Sequence, residues 1–159
     1  MTQSIQIQKG NARWYVIVLW VIVAAVAAIG CVVLPPYLVR GSVEHSAYGW
    51  PLFPWFAVAY ANLRVLSTMC CFFGLGIALG IAQPRWWPLL CLSALGSPIV
   101  LNGINMVHDW TRHPTSHNLW PFEVVAFVFI CSPVLVGGLL GFLLRRLLDK
   151  RQAALTSDS

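Results

Sequence analysis

The chain alternates between long apolar runs and short polar segments. The apolar runs cover about residues 14–34, 51–82, 88–106 and 122–144. About 20 apolar helical residues are needed to cross a bilayer core about 30 Å thick, so each run is long enough for one crossing. The pattern therefore predicts an all-α integral membrane protein, a four-helix bundle of antiparallel neighbours that forms one transmembrane domain over residues 1–159.

The composition excludes an ordinary soluble domain. Hydrophobic residues make up 58% of the chain and charged residues 9%, whereas soluble domains have about 45–50% and about 25%. The chain has ten Lys and Arg residues and five Asp and Glu residues. The basic residues occur singly or beside the apolar runs, and they form no basic stripe of the kind that binds nucleic acid. We therefore expect the lipid bilayer as the partner of this chain and no nucleic acid.

The basic residues predict the orientation in the membrane. If the N-terminus is cytoplasmic, two of the basic residues that flank the runs, Arg40 and Arg112, fall in outer loops. The others all fall on the inner side: Lys9, Arg13, Arg85, Arg145, Arg146, Lys150 and Arg151. The positive-inside rule thus predicts that both termini are cytoplasmic, in a plasma membrane such as the bacterial inner membrane.

The first run has a second interpretation. Its basic flank and the small residues 25–27 resemble a secretory signal with a cleavage site, and residues 28–31 loosely resemble a lipoprotein box that would lipidate Cys31. Hydrophobicity continues to Leu34, which gives a full membrane length before Pro35 and Pro36, where we expect the helix to end. This length favours a retained first span.

Arg64 is the most unusual polar residue, because counting from the start of the second run places its Cα near the middle of the membrane. Asn102, Asn105 and Asp109 share one face of the third run, and Glu123 opens the fourth. These five residues could form an outward-facing polar pocket for an ion, a head group or a small substrate. Alternatively, they only hold the helices together, which is common in membrane bundles and has more weight.

Three histidines form a candidate metal site. His108, His113 and His117 are spaced so that two or three imidazoles could bind one zinc or copper ion. Pro114 interrupts any helix that would join the last two, however, and surface histidines in a polar loop are the simpler interpretation. We predict no catalytic residues and no cofactor.

Two glycine pairs predict close helix packing. Gly76 and Gly80 lie in the second run and Gly137 and Gly141 in the fourth, and G-x-x-x-G spacing lets helix backbones approach each other. We expect these two helices to pair within one chain, with self-association through the same glycines as the alternative. Pro133 is expected to kink the fourth helix above its glycines.

The function that these patterns favour is a small non-enzymatic accessory or interaction subunit of a membrane. This prediction depends on what the sequence lacks, namely a nucleophile with a base, a phosphate-binding loop and a recognised set of metal ligands. The first alternative is a small transporter or ligand-binding protein that uses the pocket around Arg64. The second is a metal-dependent membrane enzyme that uses the outer-loop histidines.

Overall fold

The computed structural model describes residues 2–40, 52–112 and 120–157, and these residues are helical apart from short connections. The helices are α1 (Thr2–Arg40), α2 (Pro54–Ala61), α3 (Val65–Ala82), α4 (Trp87–Trp110), α5 (Trp120–Cys131) and α6 (Pro133–Ser157). Within the described residues, four stretches are long and apolar enough to cross a membrane: Trp14–Leu38, Val65–Ala82, Trp87–Trp110 and Pro121–Ala153. The prediction of an all-helical bundle with four stretches that are able to cross a membrane is confirmed for these residues.

The second apolar run is not one helix, and the prediction of a continuous span over residues 51–82 was wrong in this respect. Helix α2 ends at Ala61, and the backbone N–H and side-chain Nδ2 of its C-cap residue Asn62 both donate to Val58 O, at 3.2 and 2.9 Å. The chain resumes helical geometry only after Arg64, the N-cap of α3. The run is longer than one crossing requires, so an interruption still leaves a full span in α3.

Prolines act differently in the first and fourth spans. Helix α1 continues through Pro35 and Pro36 to Arg40, so the prediction that these prolines end it was wrong. Each ring removes one backbone hydrogen bond, but both rings are buried against the bundle. In the fourth span, Ser132 separates α5 from α6 and Pro133 starts α6, where its missing N–H costs nothing.

The two glycine pairs lie face to face, which confirms the predicted pairing of the second and fourth spans. A Cβ at Gly76 would collide with Val134 O and would lie 2.7 Å from Gly138 N, both backbone atoms of α6. A Cβ at Gly137 or Gly141 would collide with backbone carbonyl oxygens of α3. Self-association through the same glycines stays a prediction, and it would require α3 and α6 to separate.

Serines connect the first and third spans. Ser93 Oγ donates to Val21 O and Ser97 Oγ donates to Ala25 O, each at 3.2 Å. Both pairs advance by four residues, one helical turn, so α1 and α4 run parallel with a fixed register. Small side chains along this contact, such as Ala24 and Ala28, are fully buried.

Candidate functional site

Arg64 lies at the break between α2 and α3. Its backbone has φ −94° and ψ 89°, which is not helical, and its carbonyl oxygen accepts the first bond of α3, from Thr68 N at 2.9 Å. Its side chain is exposed. The segment 61–67 lines a wide-open depression of about 600 Å³ around it.

The break bears on the depth that we expect for Arg64 in the membrane. Helix α3 has 18 residues, which at about 1.5 Å each span about 27 Å, nearly the whole hydrocarbon core of about 30 Å. If α3 alone makes the crossing, Arg64 lies close to one edge of the core, whereas counting along an unbroken run puts it near the middle. A long arginine side chain that leans towards the helix N-terminus can reach the head groups from there.

The two asparagines of the predicted pocket are buried inside the bundle. Asn102 is 5% exposed and Asn105 is 6% exposed, and both lie on the inward face of α4. Asn105 Oδ1 accepts a hydrogen bond from Phe53 N at 3.0 Å. Asn102 Nδ2 donates weakly to Met106 Sδ at 3.5 Å. Both asparagines thus make contacts inside the bundle, and the bond to Asn105 links the N-terminal end of α2 to α4.

Asn102 and Asn105 lie one helical turn apart on α4 and are buried, whereas Arg64 is exposed. Asp109 and Glu123 are half-buried, on α4 and α5. Both belong to the end of the bundle where α4 finishes and α5 begins. Binding of a ligand to this set of five residues stays a prediction.

Aromatic side chains complete the packing of α2. The Tyr60 ring meets the Phe127 ring edge to face with centroids 5.1 Å apart, and Phe56 meets Phe127 in the same way at 6.4 Å. Phe56 and Phe127 are almost fully buried. These contacts hold α2 against α5, so the short helix is anchored even though the chain breaks after it.

The histidine site is only partly covered by the structure. His108 is half-buried in the last turn of α4, whereas His113 and His117 lie outside the described residues. Within residues 2–40, 52–112 and 120–157, no three His, Cys, Asp or Glu side chains are grouped so that they could hold a metal ion. The metal-site hypothesis for the three histidines stays a prediction.

A second small-residue face on α3 was missed by the sequence reasoning. Cys70, Gly74, Ala78 and Ala82 follow one another at intervals of four residues and are all exposed. A Cβ built on Gly74 meets nothing within 4 Å. The spacing of four residues between small side chains is visible in the sequence. The G-x-x-x-G pair on the opposite side of the helix is the stronger pattern, and only that pair was interpreted as a packing face. We call these four residues the outward face of α3.

No protein-family model matches the chain, and no curated protein or solved structure matches it either. The comparisons therefore supply no activity, substrate or partner.

Proposed function

We propose that this chain is a non-enzymatic accessory or interaction subunit that binds a transmembrane helix of a partner through the outward face of α3. The observation that carries this proposal is the exposure of Cys70, Gly74, Ala78 and Ala82 along one line of the helix. Lipid tails are as apolar as leucine, so helices associate in bilayers through close packing, and small residues permit that packing.

The other side of α3 supports this proposal. Gly76 and Gly80 let the backbone of α6 come into direct contact with α3, so the same helix already uses one small-residue face for association. Ser93 and Ser97 are used for packing within the chain, since both donate to backbone carbonyl oxygens of α1. The outward face of α3 offers a small-residue surface of the same kind to a further helix.

Photo-crosslinking in native membranes tests the proposal. A photoreactive residue at position 78 should give a discrete adduct, and Gly74→Leu should remove that adduct, because the leucine side chain fills the space that the partner helix needs. Gly74 faces open space, so this substitution leaves the chain's own packing intact. An adduct of twice the chain's mass would identify a second copy as the partner.

The matched control is Gly96→Leu in α4, since a Cβ at Gly96 also meets nothing within 4 Å. This variant should keep the adduct at position 78. If the photoreactive residue yields only lipid adducts, or if Gly74→Leu and Gly96→Leu behave alike, the outward face of α3 is not an association surface.

A second candidate function is binding of an anionic ligand at the break, and one specific observation favours it. Arg64 is exposed in a depression that Asn62 and Ser67 also line, and interrupted helices commonly line binding sites in transporters. Arg64→Gln should then abolish binding of a small anion to the reconstituted protein, whereas Arg112→Gln should not. Equal binding by both variants would exclude Arg64 from such a site.

We further propose that the end of the bundle with both termini faces the cytoplasm of a plasma membrane. The connection between α3 and α4 also lies at this end. Basic residues concentrate here, as the positive-inside rule requires: Arg85, Arg145, Arg146, Lys150 and Arg151. Arg146 lies over the Phe142 ring, 4.7 Å from its centroid, and Phe142 stacks on Trp87, so the end combines cations with aromatic rings, as membrane interfaces do.

A further inference from the structure

A groove of about 470 Å³ opens between α1 and the connection from α3 to α4. Part of its lining is apolar, namely Val16, Ile17 and Trp20 of α1 together with Leu90 of α4. Leu90 is fully buried, whereas Val16 is 52% exposed. The apolar wall therefore starts inside the bundle and continues outwards to the surface that meets lipid.

The other end of the groove is polar. Gln83 and Arg85 line it together with Trp86. The Arg85 guanidinium lies over the Trp86 ring, 5.5 Å from its centroid. Arg85 is exposed, and it forms no ion pair within the part of the chain that the structure describes. The groove thus offers a cation and an amide beside a long apolar wall.

The groove also has a defined position in the membrane. It lies at the end of the bundle with the two termini, where α3 finishes at Ala82 and α4 starts at Trp87. Tryptophan rings prefer the boundary between head groups and hydrocarbon, and Trp86 lines the groove at this level. Arg13 lies one helical turn before Ile17 in α1, so the sequence adds a second basic residue near the same level.

We propose that this groove binds an anionic phospholipid of the adjacent leaflet. Its phosphate is held by Arg85 and Gln83, and the start of an acyl chain lies along Val16, Ile17 and Trp20. Basic pockets between transmembrane helices bind anionic head groups in this way, and guanidinium is well suited to phosphate. A free phosphate would use only the polar end, whereas the continuous apolar wall fits a ligand with chains.

Native mass spectrometry of the purified full-length chain tests this proposal. The protein is titrated with phosphatidylglycerol, with phosphatidylcholine of the same acyl chains, and with glycerol 3-phosphate. We expect one phosphatidylglycerol to bind at least about fivefold more tightly than phosphatidylcholine, because one favourable basic contact contributes about 1 kcal/mol. Equal binding of the two lipids would overturn the proposal. Binding of glycerol 3-phosphate as tightly as the lipid would show a soluble anion site instead.

Two pairs of variants locate the binding site. Arg85→Gln should weaken phosphatidylglycerol binding by roughly fivefold, whereas Arg112→Gln, at the opposite end of the chain's third span, should not change it. Val16→Trp should block the apolar wall, whereas Val18→Trp, on another side of α1 and 51% exposed, should not. Unchanged affinity in both Arg85→Gln and Val16→Trp would place the lipid elsewhere. The lipid comparison on the unmodified chain decides the proposal even if a variant fails to fold.

Discussion

Asn105 joins two segments that lie far apart in the sequence. Its Oδ1 atom accepts the Phe53 N–H at 3.0 Å, while its Nδ2 atom is buried without a hydrogen-bond partner in the described part of the chain. The placement of Asn102 and Asn105 on one helix face follows from their spacing alone. The Phe53 contact does not, because it depends on how two separate segments align in space.

We predict that Asn105→Leu destabilises the bundle more than Asn102→Leu does. The first change leaves the half-buried Phe53 N–H without its acceptor, which costs about 1–2 kcal/mol, whereas the second removes only a weak contact with sulfur. Unfolding free energies in detergent provide the measurement. A larger loss for Asn102→Leu would show that the Phe53 bond is not the important role of Asn105.

We predict that Arg64→Leu perturbs the fold less than Arg64→Glu. Leucine at this exposed position removes a charge from the edge of the hydrocarbon core, whereas glutamate keeps a charge on a shorter side chain that reaches the head groups less well. Thermal unfolding in lipid nanodiscs should show a near-neutral effect for leucine and a lower melting temperature for glutamate. Equal losses would mean that Arg64 itself makes specific stabilising contacts.

At the scale of helices, spacing predicted the contact between α3 and α6 but not the break before α3. Small residues four apart indicate a packing face whatever surrounds them, so Gly76 and Gly80 were informative. The break contains no proline or glycine. It occurs at Asn62, Leu63 and Arg64, where the sequence shows only two polar residues inside an apolar run. Hydrophobicity alone therefore predicted one continuous span.

Alanine at Gly76 and alanine at Gly74 should have opposite effects on stability. At Gly76 the new methyl group would collide with the backbone of α6 at Val134, and neither backbone can move aside easily, so we expect a loss of about 1–3 kcal/mol. At Gly74 the methyl group meets open space, and alanine favours the helix by up to about 1 kcal/mol. Melting temperatures of the two purified variants test this contrast.

For the whole molecule, the number of spans followed from run length and hydropathy, and these properties are independent of tertiary contacts. The arrangement of the spans was harder to predict. Parallel packing of α1 beside α4 depends on the hydrogen bonds of Ser93 and Ser97 to α1 carbonyls. A pair of serines four residues apart in an apolar run is a weak signal, since serines also bond within their own helix.

The orientation of the whole bundle gives the last prediction, that the N-terminus is retained and lies in the cytoplasm together with the C-terminus. In a chain freed of native cysteines, an impermeant maleimide should label Thr111→Cys in intact cells. It should label Ser4→Cys and Ser157→Cys only after lysis, because basic residues concentrate at the end with the termini. The intact mass should correspond to a chain with its first span.

The two measurements separate the possible errors in this prediction. Labelling of Ser4→Cys and Ser157→Cys in intact cells, without labelling of Thr111→Cys, would invert the bundle but leave its four spans. A mature chain that begins near Ala28 or Cys31 would instead leave three spans, so the termini would lie on opposite sides of the membrane. That result would also remove Val16, Ile17 and Trp20, and with them the apolar wall of the lipid groove, whereas the outward face of α3 would remain.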